Sequence, residues 1–363
     1  MKRKSRVAIL FGGKSAEHEI SLVSARNIAQ AMDTSKYEII SIVIDKSGRW
    51  FFDEGVRLLR GKERSQLKPE PSRAAAIVPG ETRRPMVRLT PRRALAAVDV
   101  VFPVVHGPFG EDGTVQGLLK LANVPFVGAG VLGSAIGMDK DVMKRLLRDA
   151  KIPVAKFLVF DRTSAQRIRF GTVTRALGLP LFVKPANLGS SVGIRKVSQR
   201  NQFSRAIKEA FRYDRKILIE EAIRGREIEC SVLGNEHPIA SVPGEIITRH
   251  EFYSYDAKYI DEKGAQLVIP AKLPPAVARN IQKMAVQTFR VLCCEGMARI
   301  DFFLRGRSEV LVNEINTIPG FTQISMYPKL WEASGIPYSK LIDRLIELAL
   351  ERFREEGNLK TSV

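Results

Sequence analysis

The chain has 363 residues, 45% of them hydrophobic and 27% charged, and a formal net charge of +19. That length supports two or three domains. No apolar run is long enough to span a membrane, and no h-region follows the opening Met1-Lys2-Arg3-Lys4-Ser5-Arg6. The three cysteines, Cys230, Cys293 and Cys294, lack metal or disulfide spacing. A soluble, cytoplasmic protein with core-packing cysteines is expected.

Residues 7–11 (VAILF) read as a buried strand that runs into Gly12-Gly13. Residues 15–32 carry helical periodicity through Ile20, Val23, Ile28 and Ala31. Residues 39–44 and 98–105 are further strands, so the first third is expected to be doubly wound and parallel. No dinucleotide fingerprint accompanies the glycine turn, which argues against a nicotinamide dehydrogenase. From Arg57 to Arg93, eleven Lys/Arg residues face only Glu63, Glu70 and Glu81. This Pro-, Ser- and Ala-rich stretch reads as an elaborated loop or a short helical excursion. Its charge raises a nucleic-acid-binding protein as the rival class. It has no interleaved aromatics, zinc spacing or RNP-like motif, so no nucleic-acid partner is expected. Residues 139–150 form a basic amphipathic helix that Lys151-Ile152-Pro153 ends.

Residues 184–193 read KPANLGSSVG after the strand-like PLFVK. Glycines and serines there permit close backbone approach to phosphate oxygens, and Lys184 offers a point charge. The Walker spacing is missing, and a plain turn is the alternative. Residues 216–223 (KILIEEAI) form an apolar strand ending in Glu220, Glu221, Ala222 and Ile223. Such an end can present backbone groups to a purine edge, with Glu227 for ribose hydroxyls, or it can simply be solvated. Residues 249–264 are polar, aromatic and poorly periodic, which fits a mobile lid around Tyr253, Tyr255, Lys258 and Tyr259.

Asp301 and Glu314 sit in GMARIDFFL and EVLVNEIN, joined by the polar hairpin Arg305-Gly306-Arg307-Ser308. Paired antiparallel, these strands bring Asp301, Glu314 and Asn316 onto one face. Hard oxygen ligands without histidine or cysteine favour Mg2+ or Mn2+ bound with nucleotide phosphates. Polar decoration of an exposed hairpin is the plainer reading, against which a mid-strand asparagine counts.

The order of these segments resembles that of the ATP-grasp carboxylate-amine ligases. FGGKSAEHEISLVSA (residues 11–25), HGPFGEDG (106–113), Met138-Asp139-Lys140, FYSYDAKY (252–259) and NTIPGFTQIS (316–325) are similar to D-alanine:D-alanine ligase signatures. The resemblance runs from residue 7 to about residue 345. It implies an α/β, three-domain ATP-grasp fold with an N-terminal doubly wound parallel-sheet domain. The boundaries are placed at 1–135, 136–225 and 226–363, the last part holding the metal site and the lid.

The implied reaction joins two D-alanine molecules through an acyl phosphate, using ATP and two Mg2+ (or Mn2+) ions, for peptidoglycan synthesis. A D-alanine:D-lactate ligase is the nearest alternative, although Tyr259 in a Lys-Tyr pair resembles the dipeptide-forming type. By the same resemblance Lys140, Lys184 and Ser191 meet the α/β-phosphates, Lys258 the γ-phosphate, and Glu220, Glu221, Ile223 and Glu227 the nucleoside. Asp301, Glu314 and Asn316 hold metal. Glu17 takes the first ammonium, and His106 and Ser325 serve the substrate side. Arg299 and the Gly320 amide bind an oxyanion, and Glu17, Ser190 and Tyr259 link the lid to the site. One departure is the strand end at Glu220, which lacks a bulky aromatic for adenine. A homodimer is also implied.

Overall fold

The computed structural model describes residues 3–54, 59, 73–80, 86–89, 93–94, 97–248 and 265–360. Strand β1 (Ser5–Gly12) is apolar on both faces, and Val7 through Phe11 are fully buried. A strand with that pattern belongs inside a parallel sheet covered on both sides. β1 pairs in parallel with β2 (Tyr37–Ile44) after helix α1 (His18–Ala31). The sheet is then extended by β3 (Trp50–Glu54), which returns antiparallel to β2. This hairpin departs from the wholly parallel expectation. Its turn is held by Asp45, whose carboxylate accepts from Ser47 N and Arg49 N, each at 2.9 Å.

Short strands β4 (Ala75–Ile77), β5 (Met86–Arg88) and β6 (Arg93–Ala94) make a separate three-stranded ladder. They lie in the basic stretch, where an elaborated loop or a short helical excursion was expected, so these segments of it are strand and not helix. β7 (Val100–Pro103) returns parallel to β1, giving the order β3-β2-β1-β7. Helices α2 (Thr114–Leu121), α3 (Val131–Met138) and α4 (Lys140–Asp149) follow. The expected helix at 139–150 is therefore found, with Asp139 as its cap: the side chain accepts from Asp141 N and Val142 N.

The second sheet is built from β8 (Phe157–Asp161), β9 (Leu181–Pro185), β10 (Arg195–Val197) and β11 (Lys216–Glu221). All its pairings are antiparallel, in the order β10-β9-β11-β8. Helices α5 (Phe170–Leu177) and α6 (Arg200–Tyr213) cover one face, where Val173, Phe203 and Ala206 meet Leu181, Val183, Ile217 and Ile219.

The third sheet contains β12 (Arg226–Gly234), β13 (Ile239–Ala240), β14 (Gly244–Thr248), β15 (Ala265–Val268), β16 (Gly296–Arg305) and β17 (Glu309–Asn316). Its order is β15-β14-β12-β16-β17, with β13 on β12. Helix α7 (Pro275–Val291) fills one face through Ile281, Ala285 and Phe289.

Helices α8 (Met326–Ala333) and α9 (Tyr338–Gly357) then return to the first sheet. Leu341, Ile342, Leu345 and Ile346 share a core with Val7, Ile9 and Phe102. Arg352 stacks on Phe126 and donates to the carbonyls of Phe126 and Gly128 at 2.8 and 2.5 Å. The C-terminal helix thus closes the core that the N-terminal strand opens. Cys230 and Cys294 are buried as expected, whereas Cys293 is exposed in a left-handed turn (φ 53°), so core packing does not hold for it. No described helix is long and apolar enough to cross a membrane.

Candidate active site

The turn after β1 needs glycine. Gly12 has φ 92°, and a Cβ there would stand 2.2 Å from the Ile44 carbonyl oxygen. The chain then turns through Ser15, whose hydroxyl donates to the His106 carbonyl at 2.7 Å and accepts from Glu17 N at 3.2 Å. Glu17 is thereby fixed at the start of α1, at the edge where open α/β sheets place ligands. Ser190 reaches it from the glycine loop, its hydroxyl donating to Glu17 Oε1. Ser190 and Ser191 both have left-handed backbones, φ 51° and 59°, a conformation that surrounding contacts must enforce on non-glycine residues.

His106 lies buried behind this turn. Its Nδ1 is 3.0 Å from the Ile318 carbonyl and 3.9 Å from Glu111 Oε1. Burial alone would lower its pKa, but Glu111, Glu17 and the Ile318 carbonyl outweigh it and raise the value. Glu111, for its part, accepts from Gly107 N at 2.9 Å.

Lys140 opens α4, and its ammonium donates to the Leu188 carbonyl at 2.5 Å. Its backbone N–H bonds the Ala186 carbonyl at 3.0 Å, so the helix start is tied to the glycine loop. Lys216 clamps the same turn by donating to Asp139 at 2.8 Å and Asp141 at 3.0 Å. Lys184 donates to Glu220 at 2.7 Å, while Lys144 lies 3.4 Å from the other oxygen of Glu220. Burial opposes ionisation of Glu220, but Lys144 and then Lys184 pull its pKa down to about 2. The Glu221 carboxylate accepts from Lys156 N at 2.8 Å. Ile223 follows in the link to β12, where Glu227 stands opposite Phe303.

On the third sheet Glu229, Asp301 and Glu314 occupy matched positions of β12, β16 and β17. In an antiparallel ladder opposed residues share a face. Arg299 stands between two of these carboxylates, with Nε 2.7 Å from Asp301 and 2.9 Å from Glu229. A second bond, from Nη2 to Asp301 at 2.8 Å, makes the Asp301 contact bidentate. Burial works against the guanidinium charge, but Asp301 and Glu229 raise its pKa and keep it protonated. Asn316 donates to Asp301 at 3.0 Å.

Among the described residues no cluster of three or more His, Cys, Asp or Glu could hold a metal ion unaided. Two carboxylates and an amide oxygen on one face nevertheless fit Mg2+. That ion is commonly held by one or two carboxylates together with substrate phosphates, not by an all-protein cage.

The loop after β17 is equally constrained. A Cβ on Gly320 would stand 2.6 Å from Ser325 Oγ. That hydroxyl accepts from Thr322 N at 2.9 Å at the start of α8. Asn27 and Tyr338 fix the neighbouring Phe321 carbonyl from two sides, at 3.1 and 2.9 Å. One cleft brings some of these parts together, with Glu111, Lys140, Leu188, Gly189, Glu314 and Asn316 in its walls; Lys184, Arg299, Asp301 and Gly320 are not among its lining residues.

Tyr253, Tyr255, Lys258 and Tyr259 lie outside the described residues. Thr248 pairs with Ala265, so the segment carrying them leaves and rejoins the sheet at neighbouring points. Sequence reasoning missed Lys144, Glu111 and Glu229. Lys144 follows Lys140 by one helical turn, a spacing that puts both on one face. Glu229 alternates with the apolar Ile228 and Cys230, as an inward carboxylate on a half-buried strand does.

Three sheets in this order, with the glycine loop facing the carboxylate strands, define an ATP-grasp fold. The structure of the D-alanine-D-alanine ligase from Coxiella burnetii matches with a TM-score of 0.86 at 43% identity, covering 98% of this chain and 96% of that one. VanG D-Ala:D-Ser ligase from Enterococcus faecalis matches with a TM-score of 0.85 at 35% identity, over 96% and 100% of the two chains. The chain belongs to the D-ala D-ala ligase family: the family's N-terminal profile matches residues 6–129 and its C-terminal profile residues 146–347. The D-alanine--D-alanine ligase of Oceanobacillus iheyensis is 53% identical, with 99% of each chain aligned. The D-alanine--D-alanine ligase A of Escherichia coli (strain K12) is 51% identical, over 99% of this chain and all of that one.

Proposed function

We propose that the protein ligates two D-alanine molecules to D-alanyl-D-alanine with conversion of ATP to ADP and phosphate, supplying a peptidoglycan precursor. The observation that carries this reading is the meeting of Lys140, the glycine loop, Glu314 and Asn316 in one cleft, with Arg299 bonded to Asp301. A carboxylate is a poor electrophile, so the first D-alanine carboxylate attacks the γ-phosphoryl group and becomes an acyl phosphate. Lys140, Lys184 and the left-handed backbone at Ser190 and Ser191 are suited to the triphosphate. Glu220, Glu221, Ile223 and Glu227 are assigned to the nucleoside end. Asp301, Glu314 and Asn316 would hold a pair of Mg2+ ions, which neutralise phosphoryl charge when bound.

Glu17 receives the ammonium of the first D-alanine, and His106 and Ser325 serve the substrate side. The amine of the second D-alanine then attacks the acyl carbon, and phosphate leaves. Arg299, bonded to Asp301 through Nε and Nη2, is the cation proposed for the oxyanion. The Gly320 amide is the second donor proposed for it. The assay is ADP release with ATP, Mg2+ and D-alanine, compared with L-alanine and with D-alanine plus D-lactate or D-serine, with products identified. D-alanine-dependent ADP release and a dipeptide product are expected. A depsipeptide or a mixed D-Ala-D-Ser product in excess would overturn the acceptor assignment.

A further inference from the structure

Lys144 has no part in the chemistry described above, yet it is the most deeply buried charged side chain near the cleft. Its side chain is 1% exposed, against 11% for Lys184, and both ammonium groups address the same Glu220 carboxylate. The two contacts differ in kind. Lys184 makes a direct hydrogen bond of 2.7 Å. Lys144 stands off at 3.4 Å, and its Nζ has no hydrogen-bond partner among the described residues. The facing oxygen, Glu220 Oε1, also has none.

Two lysines share this one carboxylate; burial, with Lys184 alongside, lowers the pKa of Lys144, and Glu220 followed by Glu314 opposes that shift. Lys184 is the more exposed of the two, 11% against 1%. If Lys184 alone balanced Glu220, turning it toward a ligand would strand a buried anion, which is strongly unfavourable. We propose that Lys144 is the standing counter-ion of Glu220, a positioning residue whose presence lets Lys184 move from Glu220 to the nucleotide phosphates. The unused donor on Lys144 and the unused acceptor on Glu220 are the capacity that closes when Lys184 departs. Lys144, 1% exposed, acts through Glu220 and not on the nucleotide itself.

This inference rests on the assignment of Lys184 to the nucleotide phosphates. The test is the affinity for Mg·ADP by calorimetry, together with KM for ATP and for D-alanine, in the wild type, Lys144→Met, Glu220→Gln, the double variant and Lys184→Met. In Lys144→Met, Lys184 stays locked on Glu220. Nucleotide affinity and KM for ATP should worsen at least about tenfold while KM for D-alanine moves little, a split that general loosening of the fold does not give. With Glu220 already neutral the lock is gone, so adding Lys144→Met to Glu220→Gln should change nucleotide affinity less than about threefold.

Wild-type affinity in Lys144→Met overturns the proposal. So does a loss on adding Lys144→Met that is as large in the Glu220→Gln background as in the wild type. If Lys144→Met does not fold, a tenfold or greater loss of nucleotide affinity between Glu220→Gln and the double variant overturns the proposal, and a change under about threefold upholds it. An unchanged affinity in Lys184→Met would instead remove Lys184 from the nucleotide site, a failure of the underlying assignment and distinct from either result above.

Discussion

Asp301 stands opposite Glu314 because Asn313 is bulged out of the β16–β17 ladder. From the hairpin inward the strands pair Arg305 with Glu309 and Phe302 with Val312. Continued unchanged, that register would set Asn313 against Asp301 and turn Glu314 to the far face with Ile300. The ladder instead shifts between Asp301 and Phe302. Glu314 and Asn316 then share a face with Asp301 and Arg299, while Ile315 drops into the core beside Ile300.

Glu314→Gln preserves size and register and removes one charge. The expected result is a folded protein with a Tm within a few degrees of wild type and a kcat lower by about a hundredfold or more at saturating Mg2+. Turnover and thermal denaturation measured side by side check it, and near wild-type turnover would return Glu314 to hairpin decoration.

The bulge was not read from the sequence, because Val310, Leu311 and Val312 are all apolar and show no change of parity before Ile315. Only the structure, which places Val310, Val312 and Ile315 in one core, shows that a residue is inserted between them. The parallel strands were legible because continuous apolar runs flanked by glycine admit few other readings. The β2–β3 hairpin was missed, although Asp45, Ser47 and Gly48 before the aromatics at 50–52 carry its turn chemistry. Lys144 was missed for a physical reason: a lysine on a basic amphipathic helix reads as solvated, and only the third dimension brings Glu220 beneath it.

Arg299 separates the Asp301 and Glu229 carboxylates inside the sheet. Arg299→Met takes the guanidinium charge away from both, and loss of one member of a buried charge network costs about 3–5 kcal/mol. A fall in Tm on the order of ten degrees is expected in differential scanning calorimetry. Arg299→Lys keeps the charge but loses the bidentate geometry, so it should recover most of the Tm and little of the turnover.

Gly320 has no positive φ, and what forbids a side chain there is the Ser325 hydroxyl 2.6 Å from the Cβ position. Gly320→Ala must push Ser325 or the loop aside, and misplacement of about 1 Å near a reacting group costs on the order of a hundredfold. The variant should fold, with kcat/KM reduced by about ten- to a hundredfold. Steady-state kinetics read this directly, and unchanged kcat/KM would show that the loop relaxes without consequence.

Ser190 does two things at once, and substitution can separate them. Its hydroxyl ties the glycine loop to Glu17 across the cleft, and its left-handed backbone shapes the loop. Ser190→Ala removes the hydroxyl and keeps the strained backbone, whereas Ser190→Gly removes the hydroxyl and relaxes the strain. If the tie to Glu17 is what matters, both variants should lose dipeptide formation about equally, by roughly tenfold or more, because the loop is no longer held over the first substrate. If backbone shape dominates, Ser190→Gly should work nearly as well as wild type and Ser190→Ala should stay close behind it. Dipeptide formed per ATP consumed is the deciding measurement. A detached loop admits water to the acyl phosphate, so the hydroxyl reading requires ADP release to exceed dipeptide in both variants.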